Sequence, residues 1–488
     1  MAREVLMSSG ASAMLSWDTA RNLGPRASRS FFAITIAVMG GCGSQLETQS
    51  RADLDRVQTQ LGRQHSTDSD EHGSAHDPEQ RLGTLRSYVA SAFAHSPELR
   101  AAYEEWRAAL EGPRQARKFP ELVLTYGGFI RSVETRVGPQ RHRLGALQWF
   151  PWPTRLNAGR DAAVHSATSA QKRFEALALE VAAQVAHAYW RLWFVQKNQL
   201  VQEAQRDVLI SLSRQVRARL EAGKTGLSDL AQVDLSISRT SDVIAGLEEA
   251  ERSATAELIR AIGAERGTPT PIEPEQDPPV ALLPESDDTE LRDAAVAHPR
   301  VAAMASMSLA AEERARAAKG QRGPSIGLGL DWIVTGPAVD PSIPDSGQDA
   351  VVGMVGIKIP VSGGAYKAER QQALAEGAMF RARERAARDR AVAELEQALA
   401  NLRDAVRRVQ LYETTLVPQA ETTYSSTLDG YQSGRASLAE VLLAEKDLLE
   451  LALGLFRAQA SYGASWAELE RVVGHPVPTR SDEGDMVP

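Results

Sequence analysis

The chain has 488 residues, a formal net charge of −8 and a single cysteine. This length is sufficient for a large core or for several structural units. The acidic balance argues against general nucleic-acid binding, and a lone cysteine excludes both an intramolecular disulfide and a cysteine-based zinc cluster.

The N-terminal region has the pattern of an export signal. A short apolar run over residues 31–39 follows three arginines and ends in two glycines before Cys42. The run is far shorter than the ~20 apolar residues that span a bilayer. The pattern predicts a lipoprotein signal peptide over residues 1–41, with Cys42 as the lipidated first residue of the mature chain. An ordinary secretory signal is the alternative interpretation, and Met7 and Met14 are alternative starts.

A polar segment follows the signal. Residues 42–82 contain few apolar side chains and predict an N-terminal tether with little helix. Its histidines, His65, His72 and His76, leave metal binding open, although a solvated linker is the favoured interpretation.

The remainder of the chain is predicted to be a duplication. Gly223 lies 72 positions after Pro151, and Gly434 lies 74 positions after Pro360; a further glycine follows each of them after 40 positions. Ordered landmarks of this kind indicate an internal repeat. The predicted boundaries are a first repeat at 83–266, a proline-rich linker at 267–287, a second repeat at 288–474 and a polar C-terminal tail at 475–488.

Each repeat is predicted to contain one very long helix. Residues 154–221 contain no proline and only one glycine, so the segment predicts a helix about 100 Å long. Its counterpart runs from about residue 365 to 431 and contains Pro418, which removes a backbone donor and predicts a bend. Apolar residues recur at coiled-coil spacing in both segments.

A pair of strands precedes each long helix. Ile326, Leu328, Leu330 and Trp332 alternate with small or polar residues, as in a barrel wall with lipid on one side and water on the other. Weaker patterns predict strands at 121–130, 144–150 and 351–359. Four strands cannot close a membrane barrel, so the chain is predicted to oligomerise, and a trimer would supply about twelve.

This arrangement resembles the TolC family of outer-membrane efflux channels. The likeness covers a signal, a tether and two copies of a helix–strand–strand–long helix–helix unit. It is strongest to the lipoprotein branch that serves resistance-nodulation-division pumps. Residues 148–155, QWFPWPTR, are similar to the strand exit of the heavy-metal efflux branch.

The resemblance implies a mainly α-helical homotrimer with a membrane β-barrel part. Twelve strands would form the barrel in the outer membrane, and twelve helices would form a periplasmic coiled-coil tunnel. It implies a periplasmic adaptor protein, an inner-membrane pump and outer-membrane lipid as partners, with no cofactor and no catalytic residues. The exported cargo, metal ion or drug, is left open.

The resemblance also implies a gate at the periplasmic end of the tunnel. The helices would turn at Gly223 and Gly434, and family acids six positions later correspond to Asp229 and Glu440. In a trimer these six carboxylates would form a cation-attracting ring. The alternative is that both acids only cap the helices that begin there.

Three further gate positions are implied by the same resemblance. The family tyrosine that contacts the acid of the first hairpin corresponds to Tyr431. At the other two positions this chain departs from the family. Where a basic residue is expected it has Ala436, with Arg435 beside it, and where a further acid is expected it has Leu443.

A lipid-anchored periplasmic scaffold or adaptor without a pore is the alternative function. It would share the long helices, but it would not need alternating strand pairs at matching places in both repeats. No nucleophile–base set and no metal cluster is predicted, so the sequence argues against an enzyme.

Overall fold

The computed structural model describes residues 45–69, 84–264, 278–340 and 342–479, with only the backbone for residues 60–69 and 132. Cys42 and the predicted signal peptide lie outside the described residues. The same holds for His72 and His76 and for the side chain of His65.

The first helix corrects one expectation from the sequence. Helix α1 occupies Gln45–Ser69, inside the segment predicted to have little helix. Its inner face is held by polar contacts as well as by Leu54, which is buried with Trp106. The Trp106 indole Nε1 donates a hydrogen bond to the Ser50 hydroxyl at 3.3 Å. The prediction of little helix was wrong because it required an apolar face, whereas much of this face is hydrogen-bonded.

The first half of the remaining chain has six helices and strands around one long helix. Its elements are α2 (Leu85–His95), α3 (Pro97–Ala109), α4 (Gly112–Ala116), β1 (Val123–Thr135), β2 (Gly138–Phe150), α5 (Pro153–Glu221) and α6 (Leu227–Ile262).

The second half follows the same order with one interruption. Its elements are α7 (Asp288–Val296), α8 (Pro299–Gly320), β3 (Ser325–Thr335), β4 (Ala350–Lys358), α9 (Gly363–Leu411), a π-helical segment (Tyr412–Leu416), α10 (Val417–Gln432) and α11 (Leu438–Val473).

The last helix of each half ends beside the residues that follow its first helix. Helix α6 ends at Gly263, whose left-handed backbone (φ +71°) lies against the carbonyl of His95 at the end of α2. Helix α11 likewise ends at left-handed Gly474, close to the imidazole of His298 before α8. Glycine adopts this conformation without steric cost, which explains the recurring terminal glycine.

The long helices differ in continuity. Helix α5 runs for 69 residues without a break, as the absence of proline predicted. In the second half, the π-helical segment Tyr412–Leu416 comes directly before Pro418. The proline lacks an N–H group, and its ring would clash with the carbonyl of Thr414 in a regular helix. A π-helical turn is one way to relieve this conflict.

The core is divided between the halves. In the first half, α2, α5 and α6 bury a cluster that includes Val185, Tyr189 and Leu258. In the second half, α7, α9 and α11 bury a cluster that includes Leu402 and Tyr462. Burying large apolar side chains of this kind stabilises a fold by roughly 1.5–3 kcal/mol each.

The four strands form one antiparallel sheet in the order β1-β2-β3-β4. Strand β2 pairs with β3 in a register that places Leu144 opposite Trp332 and Phe150 opposite Ile326. The predicted alternation in β3 is confirmed, because its large apolar side chains are exposed on one face. None of the helices in the described part of the chain combines the length and apolarity of a bilayer span.

Candidate gate and membrane face

One face of the sheet is apolar and exposed. The pairing register aligns alternate residues of all four strands on this face. Its exposed large apolar members are Leu124, Tyr126, Leu144, Phe150, Ile326, Leu328, Leu330, Trp332, Val351, Val355 and Ile357. An exposed apolar surface of this extent marks a site of contact with lipid or protein.

The opposite face of the sheet is mixed, with glycines and charged residues among apolar side chains. Arg143 of β2 forms an ion pair with Asp331 of β3, whose side chain is buried. Further along the same face, the Trp149 ring lies against the sheet, and a methyl group added at Gly327 would come within 2.8 Å of it. The Lys358 ammonium lies 4.4 Å from the centre of that ring. The first face is thus mainly apolar, as a lipid-facing wall would be, whereas the opposite face carries charged groups in addition to apolar ones.

The two long helical hairpins turn at glycines. Gly223 follows α5 with φ +66°, and Gly434 follows α10 with φ +78°. Apart from the adjacent residues, the described part of the chain has no atom within 4 Å of where a side chain would begin at Gly223 or Gly434, so backbone conformation alone favours glycine there. The structure thus places both residues at the turns where the sequence comparison of the two halves aligned them.

Asp229 lies in the first turn of α6, three residues after the N-cap Gly226. Its carboxylate accepts hydrogen bonds from the hydroxyls of Thr225 and Ser228. Gly226 has no side chain, so it provides no side-chain cap for the helix. In this protomer Asp229 therefore binds the turn that precedes its helix.

Glu440 occupies the same position in α11 but makes a complete capping box. The Ser437 hydroxyl accepts from the Glu440 backbone N–H at 3.3 Å, and the Glu440 carboxylate accepts from the Ser437 backbone N–H at 2.6 Å. The bond from the Ser437 backbone holds the pKa of this exposed carboxyl below its usual range. Glu440 thus makes the contacts of a helix cap, whereas Asp229 bonds to neighbouring hydroxyls.

Tyr431 is buried where the two hairpins pack together, with Val216, Val233 and Leu438. The Arg219 guanidinium lies 4.4 Å from its ring centre and donates to its backbone carbonyl at 2.8 Å.

The Tyr431 hydroxyl has no hydrogen-bond partner among the described residues. The bond from Tyr431 to Asp229 that the resemblance implied is not formed within this protomer. Burial is the main cause that raises the pKa of Tyr431. The charge of Arg219 lowers this pKa, and the nearby charge of Asp229 raises it by a smaller amount.

Among the described residues, Arg435 contacts its own turn and not an acid. Its Nε donates to the Ser433 hydroxyl at 3.0 Å, and its backbone N–H donates to the Gly430 carbonyl at 2.7 Å. The basic residue that contacts Tyr431 comes instead from the other hairpin, as Arg219. Sequence reasoning missed Arg219, because no local pattern indicates a contact between residues 212 positions apart.

Glu445 is a second residue that the sequence did not indicate. It lies on α11, five residues beyond Glu440, and is only 5% exposed. Burial raises its pKa to about 7, with a smaller opposing effect from a hydrogen bond to Gln205 of α5. One of its carboxyl oxygens has no partner among the described residues. Burial raises the pKa of Tyr424 on α10, and the negative charge of Glu445 raises it further.

The described residues contain no group of three or more histidine, cysteine, aspartate or glutamate side chains that could hold a metal ion. The features that the structure brings together are therefore a two-faced sheet and a pair of packed helical hairpins.

The sequence of this chain matches a family model described as outer membrane efflux protein over residues 89–264 and again over residues 291–475. The chain belongs to the outer membrane efflux protein family. The two matches span most of the two halves, each from the first helices through the last. No curated protein sequence matches the chain.

Solved structures of outer membrane proteins and channels share this fold. The outer membrane protein VceC from Vibrio cholerae is 21% identical, with a TM-score of 0.64, and the alignment covers 80% of this chain and 96% of that one. CusC, whose structures concern folding and transmembrane channel formation, is 17% identical with a TM-score of 0.66. The alignment covers 83% of this chain and 96% of CusC. The open state of the Neisseria gonorrhoeae outer membrane channel MtrE is 17% identical with a TM-score of 0.64, covering 83% and 94%.

The predicted family and fold class are therefore confirmed. The helical hairpins and the antiparallel sheet of this protein are those of an outer membrane efflux channel.

Proposed function

We propose that three copies of this chain close a twelve-stranded barrel in the outer membrane, with lipid against the apolar face of the sheet. The observation that carries this proposal is that face together with the two free edges at β1 and β4. An open sheet edge has unpaired N–H and C=O groups, which a bilayer does not tolerate. Pairing β4 of one protomer with β1 of the next removes every edge.

The long helices would continue this barrel as a periplasmic tunnel of twelve helices. Such a channel would export small molecules or metal ions, delivered by an inner-membrane pump through a periplasmic adaptor. The opposite face of the sheet, with the Arg143–Asp331 pair, would then line the water-filled interior. A lipid chain on Cys42 would anchor the protein to the outer membrane.

Two adjacent substitutions on β4 test the membrane face. Val355 belongs to the exposed apolar face, and its neighbour Met354 belongs to the opposite face. Val355→Arg should destabilise the inserted protein by about 2–4 kcal/mol if it faces the middle of the bilayer, whereas Met354→Arg should be tolerated by a watery interior. Heat-resistant trimers on gels and single-channel conductance report the outcome, and equal tolerance of both variants would contradict the barrel.

We further propose that the hairpins form the closed end of the tunnel. Asp229 and Glu440 of three protomers would surround the axis and attract cations. Asp229→Ala combined with Glu440→Ala should reduce cation selectivity and weaken block by trivalent cations, with the trimer intact. Unchanged selectivity would leave both acids as helix caps only.

A scaffold without a pore is the competing function. It would leave the apolar face of the sheet exposed to water or require another protein to cover it. Absence of conductance from a pure, correctly folded trimer in a planar bilayer would favour the scaffold. For the anchor, Cys42→Ala should abolish labelling by a radioactive fatty acid, and persistent labelling would exclude Cys42 as the site.

A further inference from the structure

An open cleft lies where the sheet meets the helices. Its volume is about 600 Å³, and it is bounded by α4, the segment leading into β1, the start of α5 and the end of α8. The residues of its wall that matter here are Lys118, Phe119, Glu121 and Arg155.

Two contacts place this cleft on the apolar side of the sheet. Phe119 packs edge-on against Phe150, with ring centres 6.1 Å apart. Phe150 belongs to the apolar face, since it pairs with Ile326. The Gln148 side chain, two residues earlier on the same face, donates to the Pro120 carbonyl at 2.7 Å. The cleft therefore begins where the apolar face ends.

The side chains at this boundary are those of a membrane interface. Phe119 and the neighbouring Trp152 are 52% and 42% exposed. Aromatic rings concentrate at the level of lipid headgroups, and basic side chains there bind lipid phosphates. Arg155 is exposed and has no ion-pair or hydrogen-bond partner for its side chain among the described residues.

Lys118 is a second cation in the cleft, but it already forms an ion pair with Glu121. Its ammonium lies 3.0 Å from the Glu121 carboxylate, and both side chains are largely exposed. An exposed pair of this type contributes little to stability, so a phosphate can compete for the lysine. Glu121 should also repel an anion from the cleft.

We propose that this cleft binds the phosphate of a glycerophospholipid headgroup, with Arg155 as the principal contact, Lys118 as the second, and Phe119 against the upper acyl chain. The proposal rests on the proposed insertion of the sheet in the outer membrane. It assigns the site to the inner leaflet, because the cleft lies on the helical side of the sheet. The lipid would fix how deep the sheet sits in the bilayer.

The test is native mass spectrometry of detergent-purified protein titrated with phosphatidylglycerol. Arg155→Gln should weaken lipid binding about tenfold, which corresponds to the loss of one charge-assisted hydrogen bond. Glu121→Gln should strengthen it, since the competing carboxylate is gone. Arg107→Gln is the matched control, because Arg107 is an exposed arginine of α3 paired with Glu104 outside the cleft.

Three outcomes would overturn the proposal. Equal lipid binding by Arg155→Gln and Arg107→Gln would show that the arginine is not a contact. Displacement of the lipid by an equal concentration of inorganic phosphate would assign the cleft to a free anion. Absence of binding by the unsubstituted trimer would show that the neighbouring protomer covers the cleft.

Conductance separates this proposal from the channel itself. A trimer that conducts ions but shows no Arg155-dependent lipid binding contradicts the lipid site alone. A chain that remains monomeric contradicts the proposed channel. The lipid titration still reports on the cleft in that case, because one protomer supplies all of its walls.

Discussion

The two helical hairpins share one design but differ in how they are made. The first consists of one unbroken helix, α5, and a returning helix whose N-cap is Gly226. The second is interrupted by a π-helical segment, returns through the capping box of Ser437, and buries Glu445. The first hairpin is therefore the more regular of the two. The second has a better helix cap, but it also contains a π-helical segment and a buried carboxyl group, which are both unfavourable. The duplicated fold tolerates such divergence because each hairpin closes through its own turn.

The largest expected difference concerns the continuity of the long helices. From Pro153 to Gly223 is 70 positions, whereas from Gly363 to Gly434 is 71. A π-helical turn, with i→i+5 hydrogen bonds, can hold one extra residue while the following helix keeps the same face towards its neighbours. Deletion of one residue should therefore have opposite consequences in the two helices.

Deleting Ala204 from α5 should rotate the following helix by about 100° and remove Leu212 and Val216 from the packed hairpins. Deleting Thr414 together with Pro418→Ala should leave a regular helix with its packing preserved. We expect loss of the trimer in the first case, and a stable trimer in the second, by gel mobility and thermal unfolding. Equal damage from both deletions would show that the π-helical segment holds no surplus residue.

The next effect is the pH dependence that Glu445 gives to the second hairpin. Its pKa of about 7 lies above the usual value for glutamate, so the folded state favours the neutral acid. The hairpin should be most stable at low pH and lose stability as the pH rises through the usual glutamate range towards 7. Glu445→Gln should recover about 3 kcal/mol at pH 9 and change little at pH 4.5.

Thermal unfolding at both pH values measures this difference. Glu450→Gln is the control, because Glu450 is an exposed acid of the same helix that faces Lys446. A Glu445→Gln variant with the same pH dependence as the unsubstituted protein would mean that the carboxylate is hydrated or paired when the trimer forms.

A smaller effect separates the two helix caps. Ser437→Ala should cost about 1 kcal/mol, because it removes the capping box of α11. Gly226→Ser should stabilise α6 by a few tenths of a kcal/mol, since the backbone of Gly226 is already extended and suits a serine cap. Hydrogen exchange of the first turns of α6 and α11 would resolve both changes. No gain from Gly226→Ser would mean that the Thr225–Asp229 contact already serves as the cap.

The smallest effect is expected at the contact between the hairpins. Tyr431→Phe removes a hydroxyl without a partner, so stability should change by less than about 1 kcal/mol. Arg219→Gln removes the cation above the ring and a charged donor to the Tyr431 carbonyl, and should cost more. Thermal unfolding ranks the two variants. A large loss in Tyr431→Phe would indicate that the hydroxyl bonds to another protomer.

Regular elements were accessible from the sequence because their signals are local. The proline-free stretch predicted α5, and alternation from Ile326 to Trp332 predicted the exposed face of β3. Helix α1 was missed because its polar side chains hydrogen-bond into the structure. The Arg219–Tyr431 contact and the burial of Glu445 depend on packing between distant segments, which no local pattern encodes. The family resemblance identified the turns, but it did not identify these partners.

The contact between the first and last helices of each half bears on how the chain arose. Gly263 touches the end of α2, and the His298 imidazole lies 3.0 Å from the carbonyl of Arg471 near the end of α11. A unit whose last helix ends beside its first helix can be copied in tandem, because a short connection then joins one copy to the next without crossing the molecule. An ancestral half of this kind would have existed as a separate chain, with six copies in the ring that we propose is made by three.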